Sequence, residues 1–356
     1  MTRVLFTGYA PVHFVCFQPL FHALRREPGV DVLVSGGTRK TDDAGLREHD
    51  TEMMYGPFGL QPESVVDAAE LPGLDVDILF CANTKPIRPR SFRKSVQLFH
   101  GLSFRNRAIR QENGGYDHYF MLGPYMRRGF DSRGIISADD PRVARIGFPK
   151  TDRLLDASLD REAILRELGF SGDRPVVLYA PTGAHGNSLE TCGEELIEQL
   201  LAVGSYDVIV KPHDHPKADI DWNERLAPLE GEHLRLLRTP DAIPALYVSD
   251  LLISDASSIA NEYLLLDRPI VFVDVPELLA AAAVEDGRLD LETWGRKGGT
   301  VVSGPAEAVE AVAAALEHPE AQSESRRAIA RDLFYNPGSA TAAAVHWIRT
   351  EQRVAA

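Results

Sequence analysis

Short apolar runs alternate with amphipathic stretches along almost the whole of this chain, the pattern made by parallel sheets covered with helices. In the first half the runs predict strands at Val4–Thr7, Val30–Ser35, Ile78–Ala82, Val96–Phe99, His118–Leu122 and Val143–Ile146. A helix is predicted over Phe17–Arg26, where Leu20 and Leu24 recur at helical spacing. The second half repeats the style, with strands predicted at Val176–Tyr179, Asp207–Lys211, Leu234–Leu237, Leu251–Ser254 and Ile270–Asp274, each followed by a polar turn and a helical stretch. No repeat of fixed period is present. A hinge is placed near Thr151–Arg174, and the tail Ala321–Ala356 reads as helical apart from a break at Asn336-Pro337-Gly338.

These elements predict an α/β fold with two Rossmann-like parallel-sheet domains facing a central cleft. The domains are set at 1–155 and 156–335, with 336–356 as a C-terminal helix packing back on the first. A chain of 356 residues is more than one ordinary core holds, which agrees with two domains. Open parallel sheets bind ligands beyond the carboxyl ends of their strands, so functional residues are expected just after strands.

Composition narrows the partners. The apolar fraction of 44% and charged fraction of 25% are those of a globular protein, and the net charge of -14 argues against general binding to nucleic acid or to an anionic membrane. Met1-Thr2-Arg3 runs straight into an apolar strand, leaving no room for a signal peptide. No apolar stretch approaches the roughly 20 residues of a membrane helix. Cys16, Cys81 and Cys192 lack the spacing of a disulfide framework or a zinc site, so a reduced cytoplasmic protein without a metal is expected.

Among the motifs, Leu251-Leu252-Ile253-Ser254-Asp255-Ala256-Ser257-Ser258-Ile259-Ala260-Asn261-Glu262 is the most informative. A buried strand ends in an acid and two hydroxyls where a helix begins, and unpaired amides at a helix start favour phosphate. Simple capping by Ser257 accounts for one hydroxyl but leaves Ser258 and Asp255 without a task. In Val210-Lys211-Pro212-His213-Asp214-His215-Pro216 a strand delivers a cation and two histidines, suited to a pyrophosphate oxygen or a leaving phosphate. His213 is favoured of the two, and no third ligand at matching spacing supports a metal pair. His100-Gly101 follows a first-domain strand, and Thr182 follows the first strand of the second domain. Asp75-Val76-Asp77 resembles a metal-binding DxD but precedes its strand, as an ordinary turn would.

From Lys85 to Arg110 the chain carries many cations and no acid, against its global balance. Such a run is either a solvated face or a docking site for an anionic acceptor or lipid phosphate surface. Arg93, Lys94 and Arg105 are the acceptor-binding candidates, and residues 85–110 the candidate for peripheral contact with the inner face of the membrane.

Taken together these segments resemble the CDP-glycerol glycerophosphotransferase family, which builds teichoic-acid-type polymers. His100-Gly101-Leu102-Ser103 with Arg105 stands for the family's His-Gly-Thr-Pro and following basic residue, and Gly147-Phe148-Pro149-Lys150-Thr151-Asp152 for its Gly-aromatic-Pro-Arg-x-Asp. Tyr179-Ala180-Pro181-Thr182, Lys211-Pro212-His213 and Asp255-Ala256-Ser257-Ser258 follow in family order, as do Leu246-Tyr247-Val248-Ser249-Asp250 and Phe334-Tyr335-Asn336-Pro337-Gly338-Ser339-Ala340. Leu102-Ser103 replaces Thr-Pro, Asp214 replaces a proline, and Ala256 replaces a tyrosine.

The resemblance, over about residues 95 to 345, implies a GT-B fold. It also implies transfer of an alditol phosphate from CDP-glycerol or a similar CDP-alditol to a polyol, glycan or lipid-linked acceptor, releasing CMP, with no cofactor. On that reading His100 is the base, and His213 and Lys211 meet the phosphate oxygens. Ser257 and Ser258 hold the pyrophosphate, Asp255 and Glu262 orient ribose or alditol hydroxyls, and Thr182 contacts phosphate. A glycosyltransferase using a UDP- or GDP-sugar is the alternative within enzymes, and a non-catalytic nucleotide-binding scaffold the alternative outside them.

Overall fold

The computed structural model describes residues 1–41, 47–84, 87–102, 107–213, 220–286 and 295–355. The chain forms two compact units, the first comprising Met1–Leu102, Ala108–Arg153 and the chain from Leu333 on, the second built on Leu154–Asp332.

The first unit holds β1 (Thr2–Gly8), β2 (Val30–Gly36), a small antiparallel pair β3 (Thr38–Thr41) and β4 (Arg47–Asp50), then β5 (Asp75–Cys81), β6 (Ser91–Gln97), β7 (His118–Phe120) and β8 (Val143–Ala144). Its six-stranded sheet has the order β2-β1-β5-β6-β7-β8, parallel throughout. The second unit holds β9 (Val176–Tyr179), β10 (Asp207–Val210), β11 (Leu234–Leu236), β12 (Leu251–Ser254), β13 (Ile270–Val273) and β14 (Thr300–Val302) in the order β11-β10-β9-β12-β13-β14, again parallel. This is the doubly wound arrangement, and the expected pair of Rossmann-like sheets is what the chain forms. In each sheet the chain steps to one side of its first strand and then crosses to the other. The crossing leaves a crevice at the carboxyl ends of β1 and β5 in one unit and of β9 and β12 in the other.

Four of the second unit's strands, β9, β10, β12 and β13, are buried along their whole length, as sheets covered on both faces require. β14 and the β3–β4 pair are absent from the apolar pattern. β14 is a short edge strand, and β3 with Thr-Arg-Lys-Thr has no apolar alternation to reveal it.

The first helix runs over Pro11–Leu24, six residues earlier than predicted, with Pro11 in its first turn and Pro19 inside it. It packs on β1, on the short helix Pro149–Asp152 and on the tail helix Ala340–Ala355, so Phe14, Val15, Cys16 and Phe17 are all buried. A helix covered on several sides shows weak periodicity, which hid its start.

Two motifs far apart in sequence meet inside the first unit. Asp152, buried, accepts the Ala340 N–H at 3.0 Å and the Thr341 N–H at 2.6 Å, satisfying open amides at the start of the tail helix. Asn336 Nδ2 donates to the carbonyls of Arg145 (2.8 Å) and Ile146 (3.1 Å), and the Tyr335 N–H to Leu122. Trp347 then packs against Phe120 and His118, and Arg349 pairs with Glu27. No helix among the described residues is long and apolar enough to cross a membrane.

Candidate functional site

In the first unit, β6 ends in Gln97 and the chain makes a sharp turn through Leu98, Phe99 and His100. Phe99 is left-handed at φ 59°, which costs a bulky residue on the order of 1–3 kcal/mol. Gln97, buried, holds the turn. Its Oε1 accepts the Phe99 N–H at 2.9 Å, while its Nε2 donates to the Asn83 carbonyl and to Asn113 Oδ1, each at 3.2 Å. The predicted strand Val96–Phe99 therefore stops at Gln97, because Phe99 leaves the extended region.

That turn swings His100 back over the end of β5, where its Nδ1 lies 2.5 Å from the Ala82 carbonyl. A carbonyl only accepts, so Nδ1 carries the ring proton and Nε2 keeps its lone pair, the form that takes a proton from a hydroxyl. The side chain is solvent-accessible, yet protein crowds around it. This desolvation lowers the imidazole pKa below its ordinary 6.5, opposed by the Ala82 bond and assisted by the charge of Lys150. His100 is thus neutral at pH 7 and charges only in acid. Lys150, buried, rests over the Phe148 ring at 5.9 Å. Replacing it (Lys150→Gln) removes a positive charge that opposes the imidazolium, so the acid limb of the activity–pH profile is expected to move to higher pH. A profile of kcat/KM for both proteins checks this, and an unmoved limb would separate Lys150 from His100.

His13, which the sequence pattern did not single out, packs against His100 with ring centres 5.1 Å apart. It is buried in the first turn of the first helix, and its Nδ1 accepts the Tyr9 N–H at 3.2 Å. Burial drives its pKa well below the ordinary value, with His100 and Arg39 adding to the effect. Gly8 makes the approach possible, since a Cβ there would lie 2.8 Å from the His13 Cβ.

In the second unit, the loops after β9 and β12 are tied together by Asp255. Its Oδ1 accepts the N–H of Thr182 (2.8 Å) and of Ala256 (2.6 Å), and its Oδ2 accepts the N–H and Oγ–H of Ser188 (3.0 and 2.9 Å). Burial raises the Asp255 pKa despite these donors. Both oxygens are occupied and the residue is 1% exposed, so Asp255 spends its carboxylate on tying these loops together. Glu262 is also buried. Ser257 Oγ accepts the Ile259 N–H at 3.4 Å, while Ser258, at the start of the short helix Ile259–Tyr263, makes no capping bond with it. Lys211 is buried and its Nζ donates to the Pro212 carbonyl at 3.0 Å, so it organises the loop that presents His213. His213 is exposed and lies against the backbone of Gly183, where an added Cβ would come 2.5 Å from Nδ1. Asp250 sits at the opposite end of β12, where it binds Arg161 and the Val176 N–H.

The expected acceptor cations fare differently. Arg93 and Lys94 lie four and three residues before Gln97, roughly 10–13 Å back along β6 from its end. Arg93 faces Asp77, Lys94 pairs with Glu351, and Arg90 pairs with Asp75. Arg93 and Lys94 thus lie back along the strand from the turn that carries His100, each facing a carboxylate. Asp75 and Asp77, the DxD look-alike, are the carboxylates that pair with this run and belong to β5 itself. Arg105 lies outside the described residues. Among the described residues no group of three His, Cys, Asp or Glu side chains is arranged to hold a metal ion.

Comparison with known proteins bears on what this machinery serves. Residues 94–345 match the model of the CDP-glycerol:poly(glycerophosphate) glycerophosphotransferase family. The chain belongs to that family. A teichoic acid poly(glycerol phosphate) polymerase of Staphylococcus epidermidis is 25% identical over 177 residues, 47% of this chain and 24% of that protein. A teichoic acid glycerol-phosphate primase of Bacillus spizizenii is 29% identical over 169 residues, 47% of this chain and 42% of that protein. The match thus spans less than half the length of either curated relative.

Solved structures of the wall teichoic acid polymerase TagF share the fold, one with a TM-score of 0.69 at 15% identity, covering 98% of this chain and 89% of that one. A UDP-GlcNAc 2-epimerase from Neisseria meningitidis follows at a TM-score of 0.58 and 14% identity, covering 98% and 100%. Within the glycerophosphotransferase family segment lie His100, Thr182, Lys211, His213, Asp255 and Ser258. His13 and Tyr9 lie before it.

Proposed function

We propose that this glycerophosphotransferase family member transfers an alditol phosphate, glycerol phosphate in the first instance, from a CDP-activated donor to an acceptor hydroxyl in surface-polymer synthesis. The observation that carries the reading is His100, a family-segment histidine whose proton is held on Nδ1 by Ala82, leaving Nε2 to act as a base. The acceptor oxygen attacks the phosphorus that bears the alditol and its proton passes to His100. A new O–P bond forms, the bridging O–P bond breaks, and CMP leaves. His213 and Ser258 are assigned to the phosphates, with Thr182 beside them, and Asp255, Glu262 and Lys211 to the shape of that donor half-site. The transfer as written consumes only donor and acceptor. A TagF variant with a histidine-to-asparagine change was soaked with CDPG, which supports a CDP-linked donor for the family. A lipid-linked acceptor would bring the protein to the inner face of the membrane. Three of the cations in 85–110 are already paired with carboxylates, which weakens that stretch as the contact.

The test is the thermal midpoint of the purified protein with CDP, CMP, UDP and GDP at matched concentrations, followed by an assay of CMP release from CDP-glycerol. Selective stabilisation by the cytidine nucleotides together with CMP release is expected, because a ligand of the native state alone raises the midpoint. Selective stabilisation by UDP or GDP would move the protein to nucleotide-sugar chemistry, as in the epimerases that share its fold. No shift with any nucleotide would favour a scaffold.

A further inference from the structure

The first unit carries a cation that the transfer chemistry does not use. Arg39, exposed in β3, holds its guanidinium carbon 4.4 Å from the centre of the Tyr9 ring. Tyr9 meets His13 edge-on at 4.5 Å, and His13 meets His100 at 5.1 Å. The placement is built into the backbone. Gly36, left-handed at φ 100°, packs against the Gly8 carbonyl, and the Gly37 N–H donates to the same carbonyl at 3.1 Å. These glycines let the chain leaving β2 cross close over the end of β1 and set Arg39 on the side chain that follows it.

The protein has a net charge of -14, and Arg90, Arg93, Lys94, Arg142 and Arg349 are each paired with an acid. Arg39 has no carboxylate partner among the described residues. A guanidinium stacked on an aromatic ring keeps its planar fork of donors for a ligand, and that fork matches phosphate oxygens. We propose that Arg39, braced on Tyr9, binds a phosphate of the acceptor, so that a polyol-phosphate chain end is held with its hydroxyl toward His100. The inference rests on the transferase reading for the identity of the acceptor, and it replaces Arg93 and Lys94 in that role. Arg39 also lies before the segment that matches the family model.

Two measurements separate this proposal from the reading beneath it. The first is calorimetric titration of glycerol 3-phosphate, with glycerol as the uncharged control, into the wild type and into the Arg39→Gln, Arg39→Lys and Arg349→Gln variants. Glycerol 3-phosphate is expected to bind the wild type and to bind Arg39→Gln about tenfold or more weakly, as loss of a charged hydrogen-bonding partner implies. Arg39→Lys should lose less, and Arg349→Gln, an exposed charge far from the cluster in function, nothing. Binding to Arg39→Gln as tight as to the wild type, no binding to the wild type, or glycerol bound equally well would each overturn the proposal. The second is CMP release from CDP-glycerol, in which Arg39→Gln should raise KM for a phosphate-bearing acceptor about tenfold with the donor KM unchanged. A wild type that binds glycerol 3-phosphate through Arg39 yet releases no CMP would sink the transferase reading and leave the phosphate site standing.

Discussion

His100→Ala is expected to lower turnover by about a hundredfold to ten-thousandfold, the usual worth of a positioned general base, while donor affinity stays within about twofold of wild type. The reasoning rests on geometry before pKa. His100 Nδ1 is committed to the Ala82 carbonyl, so the residue presents one free lone pair, on Nε2. Its lowered pKa keeps that lone pair available at neutral pH and places the loss of activity on the acid side, as the imidazole charges below 6.5. Rapid-quench measurement of CMP formation, alongside nucleotide binding to the same protein, checks both halves. A variant that retained most of its turnover would place the base elsewhere, and one that lost donor affinity in proportion to rate would make His100 a binding residue.

Asp255→Ala is expected to cost about 3 kcal/mol or more, because it strands the amides of Thr182, Ser188 and Ala256 and the Ser188 hydroxyl in a buried place. For a unit of this size that is a fall in thermal midpoint on the order of 10 °C, with nucleotide stabilisation lost as the loops after β9 and β12 come apart. Asp255→Asn separates the two roles. The amide would turn donors toward the Ser188 N–H or the Thr182 N–H, so a positioning residue predicts a loss nearly as large as that of alanine. A residue that merely contacted ribose would leave the midpoint unchanged and weaken nucleotide alone.

Much of the architecture was legible along the chain. Each of the eleven predicted strands overlaps an observed one, because a parallel sheet covered on both faces favours apolar runs, although β6 is apolar only toward its end. Where the predictions ran long, as at Phe99, the apolar residue served a turn leading to the site instead of a ladder. The motif residues His100, Thr182, His213, Ser257 and Ser258 do lie just beyond strands, since that is where an open parallel sheet exposes its crevice.

Roles were less legible than positions. Asp255 and Lys211 sit in motifs that read as ligand contacts, yet both are buried and spend their polar atoms on neighbouring backbone. A residue's spacing gives its place on a strand but not whether its charge faces the ligand or the loop that carries it. The cationic run from Lys85 shows a related limit, since Arg90, Arg93 and Lys94 face carboxylates. Its partners Asp75, Asp77 and Glu351 come from an adjacent strand and from the far end of the chain, and only folding brings them together.

By itself the sequence determined the α/β class, the two sheets, the family and the strand ends at which chemistry gathers, because apolar period and ordered motifs are local properties of the chain. Only the tertiary structure decided that His13 and Tyr9 stand beside His100, that Gln97 holds the turn at Phe99, that Asp152 anchors the tail helix, and that Arg39 rests on Tyr9 with no carboxylate partner among the described residues. Most of these depend on contacts between residues distant in sequence, and pairing, burial and the choice of a histidine tautomer are set largely by such contacts.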